Sequence, residues 1–302
     1  MLSNETQVKT LSRRSMLLKT ASGLGAASLL ALSDSSSAGP LWQSASSAKL
    51  KGRLKQSACR WCYRNIPLDD LAKFASEIGL KGIDLLNDPN DWPVVKKYGL
   101  IPTMTSGAGT IPDACNRKDL HDKLEKEFQT NIPRAAENGV PNVITFSGNR
   151  KGMSDGEGME NTVVMLNRVK GLAEKHNVTI CLELLNSKVD HKDYMCDHTV
   201  WGAEVIKRVN SPRVKLLFDI YHMQIMEGDI IRTIRENFQH IAHFHTGGNP
   251  GRNELDDTQE LNWRTVAKAI ADLNFQGYIA HEFVPKRDPL TSLREAVLLC
   301  DV

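Results

Sequence analysis

Beyond residue 55 the chain alternates short apolar runs with longer amphipathic stretches, and this pairing occurs eight times. In the first long stretch, residues 68–78, apolar side chains recur three and four positions apart, as they do on one face of a helix. Short apolar strands that alternate with helices are typical of a parallel sheet covered by helices. Eight such units predict an α/β fold in which the sheet closes into a single (β/α)8 TIM barrel.

An open, doubly wound sheet is the alternative architecture for this alternation. That fold usually carries a glycine-rich phosphate loop between its first strand and the following helix. No such loop occurs in the expected strand–turn–helix context here. The closed barrel is therefore the favoured prediction.

The pattern also predicts the bounds of the individual elements. Strands are predicted at 57–61, 82–86, 101–105, 142–146, 179–184, 214–218, 241–245 and 277–283. Helices are predicted at 68–78, 94–98, 119–138, 158–176, 199–209, 230–237, 263–273 and 293–299. We expect Pro133 to kink or divide the third helix, because proline removes a backbone hydrogen bond.

The first 38 residues have the composition of an export signal. Arg13 and Arg14 precede an apolar stretch at 21–32, which is too short to span a bilayer, and small residues follow at 36–38. This order predicts a twin-arginine signal peptide at 1–38, a linker at 39–55 and a catalytic barrel at 56–302. We therefore expect the twin-arginine machinery as a partner and a periplasmic location, without stable membrane insertion.

The charge balance of the chain gives no support to nucleic acid as a partner. The chain has 38 Lys and Arg residues against 36 Asp and Glu residues, for a formal net charge of +2. Residues 1–38 hold four of the basic and two of the acidic residues, which leaves 34 of each beyond them. A chain without surplus positive charge gives no argument for binding nucleic acid. A homo-oligomer is compatible with the sequence.

Six cysteines are present, and Cys59 and Cys62 form an isolated CxxC. A structural zinc site would need a second pair of ligands, and a thioredoxin-like pair would need a different context. We expect ordinary thiols or one local disulfide.

Four ligand-type residues lie at or near the ends of the last four predicted strands: Glu183, Asp219, His245 and Glu282. Each has a simpler explanation alone, such as a salt bridge for Glu183 or a helix cap for Asp219. Because the strand ends of a parallel barrel converge, the four together predict a site for one divalent cation. Mg²⁺ or Mn²⁺ suits these oxygen-rich ligands first, with Zn²⁺ or Co²⁺ as alternatives.

Four short motifs surround the predicted site residues: Leu-Glu-Leu-Leu-Asn at 182–186, Phe-Asp-Ile-Tyr-His-Met-Gln at 218–224, Asn-Pro-Gly-Arg at 249–252 and His-Glu-Phe at 281–283. Together these motifs resemble the hydroxypyruvate isomerase branch of the xylose-isomerase-like barrels. The resemblance covers about 57–285 and implies one metal held by the four residues above, with His222 and Arg252 binding substrate oxygens. The third ligand is often glutamine in this branch, whereas His245 matches the ketose 3-epimerases.

The resemblance implies chemistry on a small sugar or hydroxy-carbonyl substrate. Glu183 and Glu282 would act as acid and base on the carbon next to the carbonyl, through an enediolate. Aldose–ketose isomerisation, 3-epimerisation and inosose dehydration all stay open, as does a non-catalytic exported sugar-binding barrel. The aromatic residues Trp61, Tyr63 and Trp92 could wall the substrate pocket or pack in the core.

The export prediction is tested by changing Arg13→Lys and Arg14→Lys together. Unprocessed precursor should accumulate in the cytoplasm, because the export machinery recognises the arginine pair. Cell fractionation and immunoblotting measure this, with the wild-type protein as control. Normal export of the double variant, or an uncleaved N-terminus on exported wild type, would contradict the prediction.

Overall fold

The computed structural model describes residues 50–302, which build a nearly closed barrel of parallel strands surrounded by helices. The strands are β1 (Lys55–Cys59), β2 (Gly82–Asp84), β3 (Ile101–Pro102), β4 (Thr105–Ala108), β5 (Asn142–Thr145), β6 (Thr179–Glu183), β7 (Val214–Asp219), β8 (Ile241–Thr246) and β9 (Tyr278–His281). Their order around the sheet is β3-β2-β1-β9-β8-β7-β6-β5-β4. The predicted single (β/α)8 barrel is confirmed.

The helices cover the outside of this sheet. They are α1 (Leu68–Glu77), α2 (Trp92–Lys96), α3 (His121–Glu137), α4 (Asp155–His176), α5 (Thr199–Val209), α6 (Ile220–Met226), α7 (Ile230–Asn237), α8 (Trp263–Asp272) and α9 (Pro289–Cys300). Their apolar stripes face the strands; in α1 the buried residues Leu71, Ala72 and Ala75 share one face.

The barrel closes through the third predicted strand, which consists of two short pieces. β3 pairs with β2, whereas β4 pairs with β5. Between them, the Thr103 N–H donates to the Ile83 carbonyl, and the Asn142 side chain donates to the Thr103 carbonyl. One chain segment therefore joins both edges of the sheet, which explains why nine strand segments form an eight-unit barrel.

Three local features extend or correct the sequence prediction. Pro133 does not divide α3, which runs unbroken from His121 to Glu137. Helix α6 was not predicted, because its sequence is too short and too apolar to show a helical period. All six cysteines are free, which agrees with the expectation of ordinary thiols; no local disulfide joins Cys59 and Cys62.

Part of the predicted linker contacts the barrel. The backbone N–H groups of Lys51 and Gly52 donate to the Asp301 carboxylate, and Leu54 is buried. The predicted signal peptide at 1–38 and most of the linker lie outside the described residues. Among the helices of residues 50–302, none combines the length and apolar character that a bilayer crossing requires.

Barrel closure generates a prediction about Gly82. A Cβ at this position would lie 2.2 Å from the Ile101 carbonyl oxygen and 2.6 Å from Thr103 Cγ2. Gly82→Ala should therefore lower the free energy of unfolding by about 1–3 kcal/mol, as other overpacking changes do. Urea denaturation followed by circular dichroism measures this change.

Gly171→Ala is the matched control, since a Cβ there would meet no atom within 4 Å on the surface of α4. It should raise the free energy of unfolding by about 0.4–1 kcal/mol, because alanine restricts the unfolded chain. Equal effects of the two substitutions would contradict the proposed role of Gly82 in closure.

Candidate functional site

The four predicted ligands converge at the carboxyl ends of β6 to β9. Glu183 and Asp219 are the last residues of β6 and β7, His245 lies near the end of β8, and Glu282 follows β9 directly. One side-chain donor atom from each lies within 4.8 Å of the others, and all four residues are buried. The structure therefore brings together every residue of the predicted metal site.

Arg252 connects the carboxylates of this cluster. Its Nη2 donates to Glu282 Oε2 at 2.6 Å and to Asp219 Oδ2 at 3.1 Å. Its guanidinium carbon lies 5.4 Å from the Trp61 ring centroid and 5.2 Å from that of Tyr221. Burial opposes the charge of Arg252, but Glu282 and Asp219 outweigh that effect and raise its pKa. Arg252 is therefore part of the buried charge network instead of a solvated loop residue.

Asp219 has two roles in the structure. One carboxylate oxygen accepts the backbone N–H of His222 at 3.2 Å, which caps the start of α6. The other oxygen faces Arg252 and lies 3.6 Å from His222 Nε2. Asp219 therefore caps helix α6 and also belongs to the cluster with Glu183, His245 and Glu282.

His222 lies beside the cluster in a fully buried position. Its Nδ1 receives the backbone N–H of Asn186 at 3.2 Å and lies 2.6 Å from the Asn186 amide nitrogen. Nδ1 is therefore the acceptor, and Nε2 carries the proton. This Nε2 has no hydrogen-bond partner among the described residues. Burial lowers the pKa of His222 well below its usual value, so the ring is neutral.

Burial and neighbouring charges separate the pKa values of the three carboxyl groups. Burial raises the pKa of Glu183 and raises that of Asp219 to about 7. Burial also acts to raise the pKa of Glu282, but the charges of Arg252 and His245 outweigh it and lower the value well below the usual range. Adjacent carboxyl groups whose pKa values are shifted in opposite directions are common at functional sites.

Sequence reasoning missed the residues behind His245. Asp84 Oδ2 lies 2.9 Å from His245 Nε2 and 3.3 Å from His243 Nε2, and Cys59 Sγ lies 3.7 Å from the same oxygen. The signal was available, because Asp84 interrupts an apolar strand just as Glu183 does. When Asp84 accepts the Nε2–H of His245, the lone pair of His245 Nδ1 is left to face Glu183 and Glu282.

A cavity of about 370 Å³ opens at the cluster. Its lining combines the catalytic candidates with apolar and uncharged polar side chains: Trp61, Leu85, Asn87, Ser106, Ile111, Ile144, Phe146, Glu183, Leu185, His191, Arg252 and Glu282. Trp61 also donates its indole N–H to Glu282 Oε1 at 2.6 Å. Tyr63 and Trp92, the other two predicted wall residues, are buried in the core.

The cluster fits a divalent cation. His245 Nδ1 lies 2.7 Å from Glu282 Oε2 and 3.5 Å from Glu183 Oε1, and it is buried without a well-aligned hydrogen bond among the described residues. Three carboxylates and one available imidazole nitrogen form a donor set that suits Mg²⁺, Mn²⁺ or a similar ion. A cation would also offset the repulsion among the buried carboxylates.

The metal site is tested with Asp219→Asn, which keeps the α6 cap but removes the charge, since asparagine caps as well as aspartate. The affinity for Mn²⁺, measured by calorimetric titration at neutral pH, should fall at least about tenfold, because even the loss of a residue that only supports a metal ligand usually costs about 10–100-fold. Asp272→Asn is the control, because this exposed carboxylate pairs with Lys268 on α8. An unchanged affinity in Asp219→Asn would refute the site.

Two known proteins are similar to this chain in sequence. The putative hydroxypyruvate isomerase of Homo sapiens is 26% identical over 238 residues, which is 77% of this chain and 80% of that protein. The putative hydroxypyruvate isomerase of Danio rerio is 31% identical over 129 residues, which is 42% of this chain. The matched part covers 47% of that relative, so the chain spans just under half of its length.

A solved structure shows the same fold. The family 2 AP endonuclease from Brucella melitensis aligns with a TM-score of 0.72 at 20% identity, over 80% of this chain and 97% of that one. The family described as xylose isomerase-like TIM barrel matches residues 72–300, most of the part of the chain that the structure describes. The chain therefore belongs to the xylose isomerase-like TIM barrel family.

Proposed function

We propose that this chain is a metal-dependent sugar isomerase, similar to hydroxypyruvate isomerase, that acts on a small hydroxy-carbonyl compound. The observation that carries the proposal is the placement of Glu183 and Glu282, which both line the cavity and both contact His245. Two carboxyl groups with different environments at one small cavity suit proton removal and proton return at a single substrate.

The chain's own residues would divide the work as follows. One of Glu183 and Glu282 removes the proton from the carbon beside the carbonyl, and the other returns a proton to the neighbouring carbon, so that an enediolate links the two states. The metal held by Glu183, Asp219, His245 and Glu282 would supply a Lewis acid that favours the negatively charged oxygens. The apolar part of the cavity wall would exclude water from the reacting carbons.

Substrate orientation is assigned to two further residues. The buried His222 Nε2–H has no hydrogen-bond partner in residues 50–302, and a substrate oxygen would satisfy it. Arg252 holds Glu282 and Asp219 through Nη2 and leaves its Nη1 group to bind a substrate oxygen. These assignments extend the roles that the sequence resemblance implies for both residues.

A second candidate function is 3-epimerisation of a ketose. His245 favours it, because the resemblance places histidine at this ligand position in the epimerases. A ketose becomes an aldose when a proton leaves C1 and one returns to C2, whereas it becomes a C3 epimer when the proton leaves C3 and one returns to the opposite face of C3. Product analysis by chromatography after incubation with a ketose would separate a C3 epimer from an aldose. Dehydration would instead yield an unsaturated product, and a sugar-binding module would yield none.

Export through the twin-arginine pathway to the periplasm is proposed on sequence alone, from Arg13 and Arg14. The machinery exports folded proteins, so a metal bound in the cytoplasm would travel with the chain.

The mechanism predicts the behaviour of Glu183→Gln and Glu282→Gln. Each change keeps the side-chain shape and one oxygen ligand but removes the carboxylate that moves a proton. Turnover of a small ketose should fall by about 10²–10⁴, the usual contribution of a general acid or base. Deuterium incorporation beside the carbonyl, measured by NMR in D₂O with Mn²⁺ or Mg²⁺ present, should fall in parallel.

Glu295→Gln is the matched control, since this partly exposed carboxylate on α9 pairs with Arg287 away from the cluster. Circular dichroism and Mn²⁺ titration show whether each variant is folded and binds metal. Full exchange activity in both Gln variants would mean that other residues move the proton, and the assignment would have to be abandoned.

A further inference from the structure

The proposed reaction requires only a hydroxy-carbonyl group in the substrate. The charged residues around the cavity also restrict the net charge that the substrate can carry. Four carboxylates lie at or directly beneath the cavity: Asp84, Glu183, Asp219 and Glu282. Arg252 is the one Lys or Arg side chain among the lining residues of the described chain. Even with a divalent cation bound, these groups sum to one negative charge when His245 is a neutral ligand. The site therefore has no surplus positive charge for an anionic substrate.

Arg252 has little capacity left to bind a carboxylate. Its Nη2 contacts Asp219 and Glu282, and its Nε donates to the Glu282 backbone carbonyl at 3.3 Å. The rings of Trp61 and Tyr221 lie against the guanidinium. Paired N–H groups are what arginine uses to recognise a carboxylate or a phosphate. With both Nη2 and Nε engaged, no such pair is available.

The remaining wall suits hydroxyl groups and carbon–hydrogen surfaces. Asn87 and Ser106 are uncharged hydrogen-bonding residues, whereas Trp61 and Phe146 offer aromatic surface. His191 adds no charge, because burial lowers its pKa. A carboxylate or phosphate brought against these wall residues would lose its hydration, and none of Asn87, Ser106, Trp61, Phe146 and His191 would supply a positive charge in return, which is unfavourable.

We infer that the substrate is an uncharged polyhydroxy ketone or aldehyde, and not a carboxylate-bearing hydroxy-carbonyl compound or a sugar phosphate. The inference rests on the proposed function for its reaction and adds the chemical class of the substrate. It departs from the substrate class in the names of the two hydroxypyruvate isomerase relatives. Specificity of this kind comes from the repulsion of the wrong ligand as much as from contacts with the right one.

The test compares two three-carbon compounds of matched shape, dihydroxyacetone and hydroxypyruvate, which differ by a hydroxymethyl group against a carboxylate. With the Mn²⁺-loaded protein at low salt, kcat/KM for deuterium exchange should be at least about tenfold higher for dihydroxyacetone. Added salt should narrow this ratio, because it screens the repulsion of the anion. Faster exchange with hydroxypyruvate would overturn the inference and leave the proposed function intact.

A charge variant sharpens the test. Asn87→Lys adds a positive charge at the cavity and should narrow the preference for the neutral compound by about threefold or more. Gln129→Lys adds the same charge on the exposed face of α3 and should leave the preference unchanged. An unchanged preference in Asn87→Lys, with the protein folded and metal-loaded, would count against a charge-based selection.

Binding decides the inference even if neither compound exchanges, an outcome that would refute the proposed function. Xylitol and xylonate, an uncharged polyol and its carboxylate counterpart, are titrated separately into the Mn²⁺-loaded protein by calorimetry. Tighter binding of xylitol would support an uncharged ligand class without turnover. Tighter binding of xylonate would overturn the inference independently of any activity.

Discussion

The burial of four acidic side chains inside one barrel is the constraint on which the site depends. Asp84, Glu183, Asp219 and Glu282 are each at most 5% exposed. Unpaired buried carboxylates would cost several kcal/mol each, so partners must be built around them. Arg252 contacts two of them, and His245 lies between Asp84 on one side and Glu183 and Glu282 on the other. The resulting network leaves a compact oxygen-rich cluster at the barrel mouth.

Barrel closure makes this network geometrically attainable. Asp84 ends β2, whereas His245 belongs to β8, and the two are separated by 161 positions in sequence. They meet because β1 joins β2 to β9, and β9 pairs with β8. The split third strand completes the circle on the opposite side. An open sheet would hold these side chains on a flat edge instead of around a common centre.

The loop that carries Arg252 is held by its own anchors. Arg252 has a left-handed backbone with φ of 55°, which is unusual for a residue other than glycine. Its carbonyl accepts the Val284 N–H at 2.7 Å, and Gly248 donates to the Asn253 carbonyl. The Glu254 carboxylate accepts the backbone N–H groups of Lys286 and Arg287. The loop therefore directs the guanidinium to the carboxylates through several independent contacts.

The sequence by itself determined the barrel and the four residues that meet at its mouth, because both follow from local patterns: the alternation of strands and helices, and ionisable residues at strand ends. It did not reveal the divided third strand, helix α6 or the uninterrupted α3, since pairing partners and packing override local propensity there. Only the tertiary structure placed Asp84 behind His245 and engaged Arg252 with two carboxylates. Those contacts join residues far apart in the chain, so their distances, burial and charge balance exist only once the barrel has closed.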